Sequence, residues 1–219
     1  TLFGLAAWVT VLFAANTSAV SAENDLRAWQ QAKAFPDASE WQGTLEQMNS
    51  ALRLDPNNPE ILETIAELYR HLAWQSGLQD EAGIKANRAA LDIYRTLTTM
   101  RPSWPSYWSN IAALKYDLWE LDAEMKAAII NTAELGPWYR TGQNIILRAG
   151  YHGWPFIDEE TRSVVDQTLG RAMQLQPREI VRESMALNYD DRLLLYLEKN
   201  EDLASYYKNE LKRLKKLHA

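Results

Sequence analysis

The chain contains no cysteine. That excludes disulfide frameworks, thiolate metal sites, thiol catalysis and lipoprotein anchoring through an N-terminal cysteine. It leaves the compartment open, because a cysteine-free chain suits oxidising and reducing surroundings alike. Histidine is scarce, with only His71, His152 and His218. Basic charge is short as well: 23 Lys and Arg against 29 Asp and Glu give a net charge of -6, so the chain has no general attraction to nucleic acid. HExxH, a Gly-rich phosphate loop and a GxSxG elbow are all missing. No stretch alternates with the period of two that marks a strand and hairpin turn.

Long apolar runs are also lacking, with one partial exception. TLFGLAAWVTVLFAANTSAVSA (residues 1–22) is apolar from Leu2 to Ala15 and uncharged before Glu23, yet shorter than the roughly 20 apolar residues that span a bilayer. Val20-Ser21-Ala22 has the small-residue spacing of a signal-peptidase site. Two readings are open, a cleaved secretory signal or an uncleaved N-terminal anchor. The acidic start after it, Glu23 and Asp25, suits export of the downstream chain, so residues 23–219 are expected to work outside the cytoplasm.

Aromatic surface and helical periodicity, by contrast, are plentiful. Nine tryptophans and ten tyrosines stand against four phenylalanines; such rings suit helix packing, interfaces and sugar stacking. A punctuation mark also recurs: ALRLDP at 51–56, LTTMRP at 97–102, TAELGP at 132–137 and AMQLQP at 172–177. Proline cannot continue a helix, so each copy predicts a helix end. Apolar residues between the marks keep helical spacing in two blocks per interval. Ile61, Leu62, Ile65, Ala66, Leu68 and Tyr69 form one such face, and Ala90, Tyr94, Leu97 and Met100 the next. This pattern predicts an all-α body built of helix pairs, spanning residues 23–188, with capping helices over 189–219.

These positions resemble the tetratricopeptide repeat. Trp108, Ile111 and Ala112 stand at its early-Trp and Leu-Gly places, and Ile65, Ala66 and Tyr69 at its Leu-Gly-Tyr places. Ala90, Tyr94, Leu97 and Pro102 fit the second-helix series, as do Val165, Leu169, Ala172 and Pro177. The resemblance implies a right-handed α-α superhelix of degenerate repeats. Two stretches exceed the roughly 34-residue unit, QSGLQDEAGIKA (75–86) and GYHGWPFIDEE (150–160). RPSWPSYWSNIAALK (101–115) and AELGPWYRTGQ (133–143), set behind an apolar N-terminal segment, are similar to VpsP-type proteins encoded in bacterial exopolysaccharide gene clusters. That similarity implies an accessory protein of polysaccharide biosynthesis or export, at the inner membrane or in the periplasm, with protein partners and no catalytic residues to carry over.

Within the repeat resemblance, the first helix of each pair lines an inner groove. The implied groove residues are Glu63, Glu67, Arg70 and His71; Ser109, Asn110, Tyr116 and Asp117; and Asn144, Arg148, Tyr151 and His152. They lack the Lys/Asn carboxylate clamp of co-chaperone repeats. Trp138 and Trp154, beside Gly and Pro, are candidates for stacking on sugar. Glu63, Glu67 and His71 share a helix face at four-residue steps, read as a solvated face rather than a metal site. No cofactor is expected. The C-terminal EDLASYYKNELKRLKKLHA places Leu203, Tyr207, Leu211, Leu214 and Leu217 on one stripe ringed by Lys212, Arg213, Lys215 and Lys216. A capping helix is expected, with a basic docking helix as the alternative.

Overall fold

The computed structural model describes Thr17 and residues 19–29, 31–32 and 35–217, with backbone only at 190, 192, 195, 214, 215 and 217. Most of the expected signal or anchor segment (residues 1–16 and 18) lies outside the described residues. So do the side chains of Leu214, Lys215 and Leu217 in the C-terminal stripe. Among the described residues the chain is all-helical, and no helix is long and apolar enough to cross a membrane. It divides into two compact units at Pro102/Ser103.

The first unit holds α1 (Ala38–Leu54), α2 (Pro59–Ser76) and α3 (Glu81–Met100). Asp37 starts α1 through a capping box: its carboxylate accepts from the Ser39 and Glu40 amides, and Glu40 reaches back to the Asp37 amide. Asn58 caps α2 ahead of Pro59, whose missing N–H costs nothing in the first turn. α2 and α3 form a hairpin, closed so tightly that a Cβ on Gly83 would strike the Gly77 carbonyl. The stretch 75–86, expected as an insertion, instead lengthens this hairpin: α2 and α3 have 18 and 20 residues, whereas the next three helices have 13 each. The boundary expected at residue 22 falls inside a helical stretch, 19–29. Its Ala19, Ala22 and Leu26 are buried with Met48, Ala51, Ile61, Ile65 and Leu68, so Ala19 and Ala22 belong to the core of this unit, while Val20 between them is exposed.

The second unit holds α4 (Pro105–Asp117), α5 (Ala123–Leu135), α6 (Arg140–His152), α7 (Glu159–Leu175) and α8 (Pro177–Ala186). A 3-10 turn (Asp190–Leu193), the short α9 (Leu194–Leu197) and α10 (Glu201–Leu217) complete it. α4 pairs with α5 and α6 with α7; α4 also packs on α6 and α5 on α7, so two hairpins stack first helix to first helix and second to second. Gly150 allows the closest approach inside the second hairpin, where a Cβ would meet Val165. Met125, Ile129, Thr132, Ile146, Val165, Leu169 and Ala172 are buried as their spacing predicts, whereas Leu135 and Leu175 end their helices exposed.

All four punctuation marks end a helix in the same way. The residue before each proline, Asp55, Arg101, Gly136 and Gln176, has φ between -145 and -134 and ψ between 51 and 79. Each amide donates to the carbonyl four residues back, on Ala51, Leu97, Thr132 and Ala172. Proline forces this: its ring clashes with an α conformation at the preceding residue. After the first three stops the next helix opens three residues later, from Asn58, Trp104 and Tyr139, with φ between -90 and -75 and ψ between 102 and 109. At the fourth, Gln176 ends α7 and Pro177 begins α8 directly.

Candidate interaction site

The α2 group is partly tied into its own unit. Glu67 accepts the Tyr94 hydroxyl at 2.8 Å and pairs with Arg70 at 3.6 Å. Glu63 and Glu67 line an open cleft of about 290 Å³ with Glu23, Leu26, Arg27, Glu60 and Thr64. The His71 ring lies 6.0 Å from that of Trp29 and 5.2 Å from that of Phe35. Burial depresses its pKa, and the Glu67 charge only partly opposes this.

In the second unit the implied groove residues separate into core and surface. Ser109 is 1% exposed and donates to the Ser106 carbonyl, so it belongs to the core rather than to a groove. Tyr151 is 8% exposed, donates to Asp166 and packs on Tyr189 with ring centroids 4.9 Å apart. Asn110 and Asp117 are half-buried on α4.

Tyr116 and His152 meet across the hairpins. The Tyr116 hydroxyl lies 2.7 Å from His152 Nδ1, and His152 Nε2 lies 3.0 Å from the Leu187 carbonyl. A carbonyl only accepts, so Nε2 carries the proton and Nδ1 accepts from Tyr116. This ties α4 to α6 and α6 to the end of α8. Earlier turns of α6 continue the ladder. Arg140 and Asn144 both donate to Glu179, at 3.2 Å each, and Arg148 pairs with Glu183 at 3.3 Å. The buried Gln176 donates to Asn144, Gln143 and the Arg140 carbonyl and accepts from Arg140 Nε. Burial raises the Glu183 pKa, with Arg148 opposing, and burial likewise raises those of Tyr116 and Tyr189. Asn144, Arg148 and His152 thus mainly fasten one helix to the next.

Sequence reasoning missed Lys115 and Trp119. Lys115 is 2% exposed, yet its ammonium lies 2.6 Å from Asp122, 2.7 Å from Glu120 and 3.1 Å from Glu124. Burial alone would lower its pKa; the three carboxylates outweigh that and raise it. The turn they fasten holds Trp119 at φ 56, a left-handed conformation unusual for a large side chain. The Glu120 amide donates to the Lys115 carbonyl and the Trp119 amide to that of Tyr116, the pattern that usually ends a helix on glycine. The indole is 60% exposed beside Tyr116. Only the tryptophan at a glycine place could have signalled this, and it matches no turn rule.

The two stacking candidates differ. Trp138 is 56% exposed. Trp154 is half-buried, with the Arg162 guanidinium 5.4 Å from its ring centroid and bonded to its carbonyl. Trp104, 48% exposed, precedes Pro105, which packs against Gly136 two residues before Trp138. Among the described residues no three His, Asp or Glu side chains converge as metal ligands. No protein-family model matches the chain, and no curated protein matches it.

Proposed function

We propose that this chain is a non-catalytic scaffold of tetratricopeptide-like helix pairs, serving bacterial exopolysaccharide assembly or export. The observation that carries the reading is the repeated junction: the same backbone stop and restart precedes each of the three helix hairpins, as a series of helical repeats requires. Such an array offers a broad preformed surface instead of a reaction pocket. Its partners are protein components of the polymer machine, held on the side where α4, α6 and α8 are laddered and where Asp117, Trp119 and Arg148 are reachable. The membrane and periplasmic placement comes from the VpsP-type resemblance and the apolar segment 1–22. Crosslinking followed by mass spectrometry in membranes of a polymer-producing strain tests this; a capture without any specific protein partner rejects it.

A second reading rests on Trp104 and Trp138, both exposed and each within two residues of the Gly136–Pro105 contact: direct stacking on the polymer. Titration of tryptophan fluorescence with purified polymer tests it, and the lack of a saturable change removes it.

A further inference from the structure

The last helix offers a surface that the scaffold reading does not use. α10 turns Leu203 into the core and half-buries Tyr206, Tyr207 and Leu211. Arg178 of α8 stands 5.4 Å from the Tyr206 ring centroid. As far as Leu211, the apolar side of the helix is therefore turned to its own unit. On another side Lys208, Lys212 and Lys216 recur at four-residue steps, all exposed. Each four-residue step advances about 40° around a helix and rises about 6 Å, so the three side chains form a slanted row that turns through about 80° on one broad face. None of the three has a carboxylate partner among the described residues, although the chain holds 29 acidic side chains. Elsewhere Arg27, Arg95, Arg101, Lys126, Arg140 and Arg148 are each paired with one. Arg213, on the same helix, is bonded to Glu210 at 2.9 Å.

We propose that this lysine face docks on a membrane surface bearing anionic headgroups. Three features favour a lipid surface over other anionic partners. The row stays within about 80° of one convex helix face and its side chains are long and exposed, so all three charges can reach a plane at once. It is lysine, a compact hydrated point charge suited to diffuse attraction, instead of arginine, whose fork suits bidentate recognition of a fixed carboxylate or phosphate. Finally, a basic face on an amphipathic helix is the form that anionic lipid attraction takes, each charge acting near the surface. As far as Leu211 the apolar side faces its own unit, so the lysines are the groups that meet the headgroups. With a net charge of -6 the chain as a whole is repelled by such a membrane, and the lysine face sets the orientation of approach.

The test compares the full chain with K208Q/K212Q/K216Q and with K208R/K212R/K216R, by co-sedimentation on phosphatidylcholine vesicles with and without phosphatidylglycerol. The apolar N-terminal run is common to all three proteins, so the difference between them isolates the stripe. The native chain is expected to prefer the anionic vesicles. The glutamine variant should lose about 100-fold of that preference, from roughly 1 kcal/mol per charge, and the arginine variant should keep it. Raising the salt to about 1 M, where screening acts within roughly 3 Å, should abolish it. Circular dichroism should be the same for all three. Equal binding to both vesicle types, or an anionic preference retained by the glutamine variant, overturns the proposal. So does binding to a soluble anionic polysaccharide, lost with the same lysines, when the vesicles bind none.

Discussion

The Lys115 ammonium and the Asp122 carboxylate lie 2.6 Å apart, one almost wholly buried at the end of α4 and the other half-exposed at the start of α5. Asp122 also accepts from the Met125 amide as the N-cap of α5. One carboxylate thus joins two helices and fixes the turn carrying Trp119. Lys115→Met keeps the bulk and removes the charge. Glu120, Asp122 and Glu124 stay partly solvated, so the loss should be about 2 kcal/mol, below the roughly 3–5 typical of a fully buried pair. Urea denaturation measures it, and an unchanged midpoint would show the ion pairs to be neutral.

Trp119→Gly should raise stability by about 1 kcal/mol, because glycine adopts φ 56 without the clash of a Cβ. A destabilised variant would mean that the Tyr116 contact outweighs the backbone strain.

Acid should weaken the fold in two stages. Burial lowers the His71 pKa from 6.5, so its neutral form is favoured on folding; that contribution is full above the ordinary value and is lost as pH falls through the depressed one. His71→Gln should remove this first stage. Asp158 is held below 3.8 by hydrogen bonds from the Thr161 hydroxyl and amide and from Lys126. Burial would raise Asp122, but Lys115 and the Met125 amide hold it below 3.8. Both carboxylates stabilise above 3.8 and lose that effect as pH falls through their lower folded values. Thermal midpoints against pH should therefore decline below about 6.5 and drop more steeply below about 4; a flat profile down to pH 4 contradicts the His71 account.

The glycines should sort by what surrounds them. Gly43 lies in open space on α1, so Gly43→Ala should stabilise by about 0.5–1 kcal/mol through helix propensity. Gly83→Ala meets backbone at Gly77 and should cost more than Gly150→Ala, which meets the movable Val165 side chain and should cost about 1–3 kcal/mol. Chemical denaturation of the three variants gives the order.

Much of the fold could be read from the sequence because its main signal is local. A proline dictates the backbone of the residue before it, so ALRLDP, LTTMRP, TAELGP and AMQLQP carry their helix ends with them. The longer α2–α3 hairpin was not legible, since QSGLQDEAGIKA divides between two helices that only tertiary packing extends. Nor could sequence separate Ser109, turned inward, from Asn110 beside it. Asn144, Arg148 and His152 do stand on the expected helix, but their partners Glu179, Glu183 and the Leu187 carbonyl lie some 35 residues on, beyond any local rule. Lys115 reads as a surface residue until Glu120, Asp122 and Glu124 fold back over it.

On the proposed function, the laddered side of α4, α6 and α8 holds a protein partner. The most direct measurement places a photocrosslinking residue at Asp117, Trp119 or Arg148 of the full chain in its native membranes, with Gly43 on α1 as the control position. One or a few defined protein adducts are expected from the three former positions and none from Gly43. Adducts equal in kind and amount at all four positions, or polymer captured in place of protein, would contradict it.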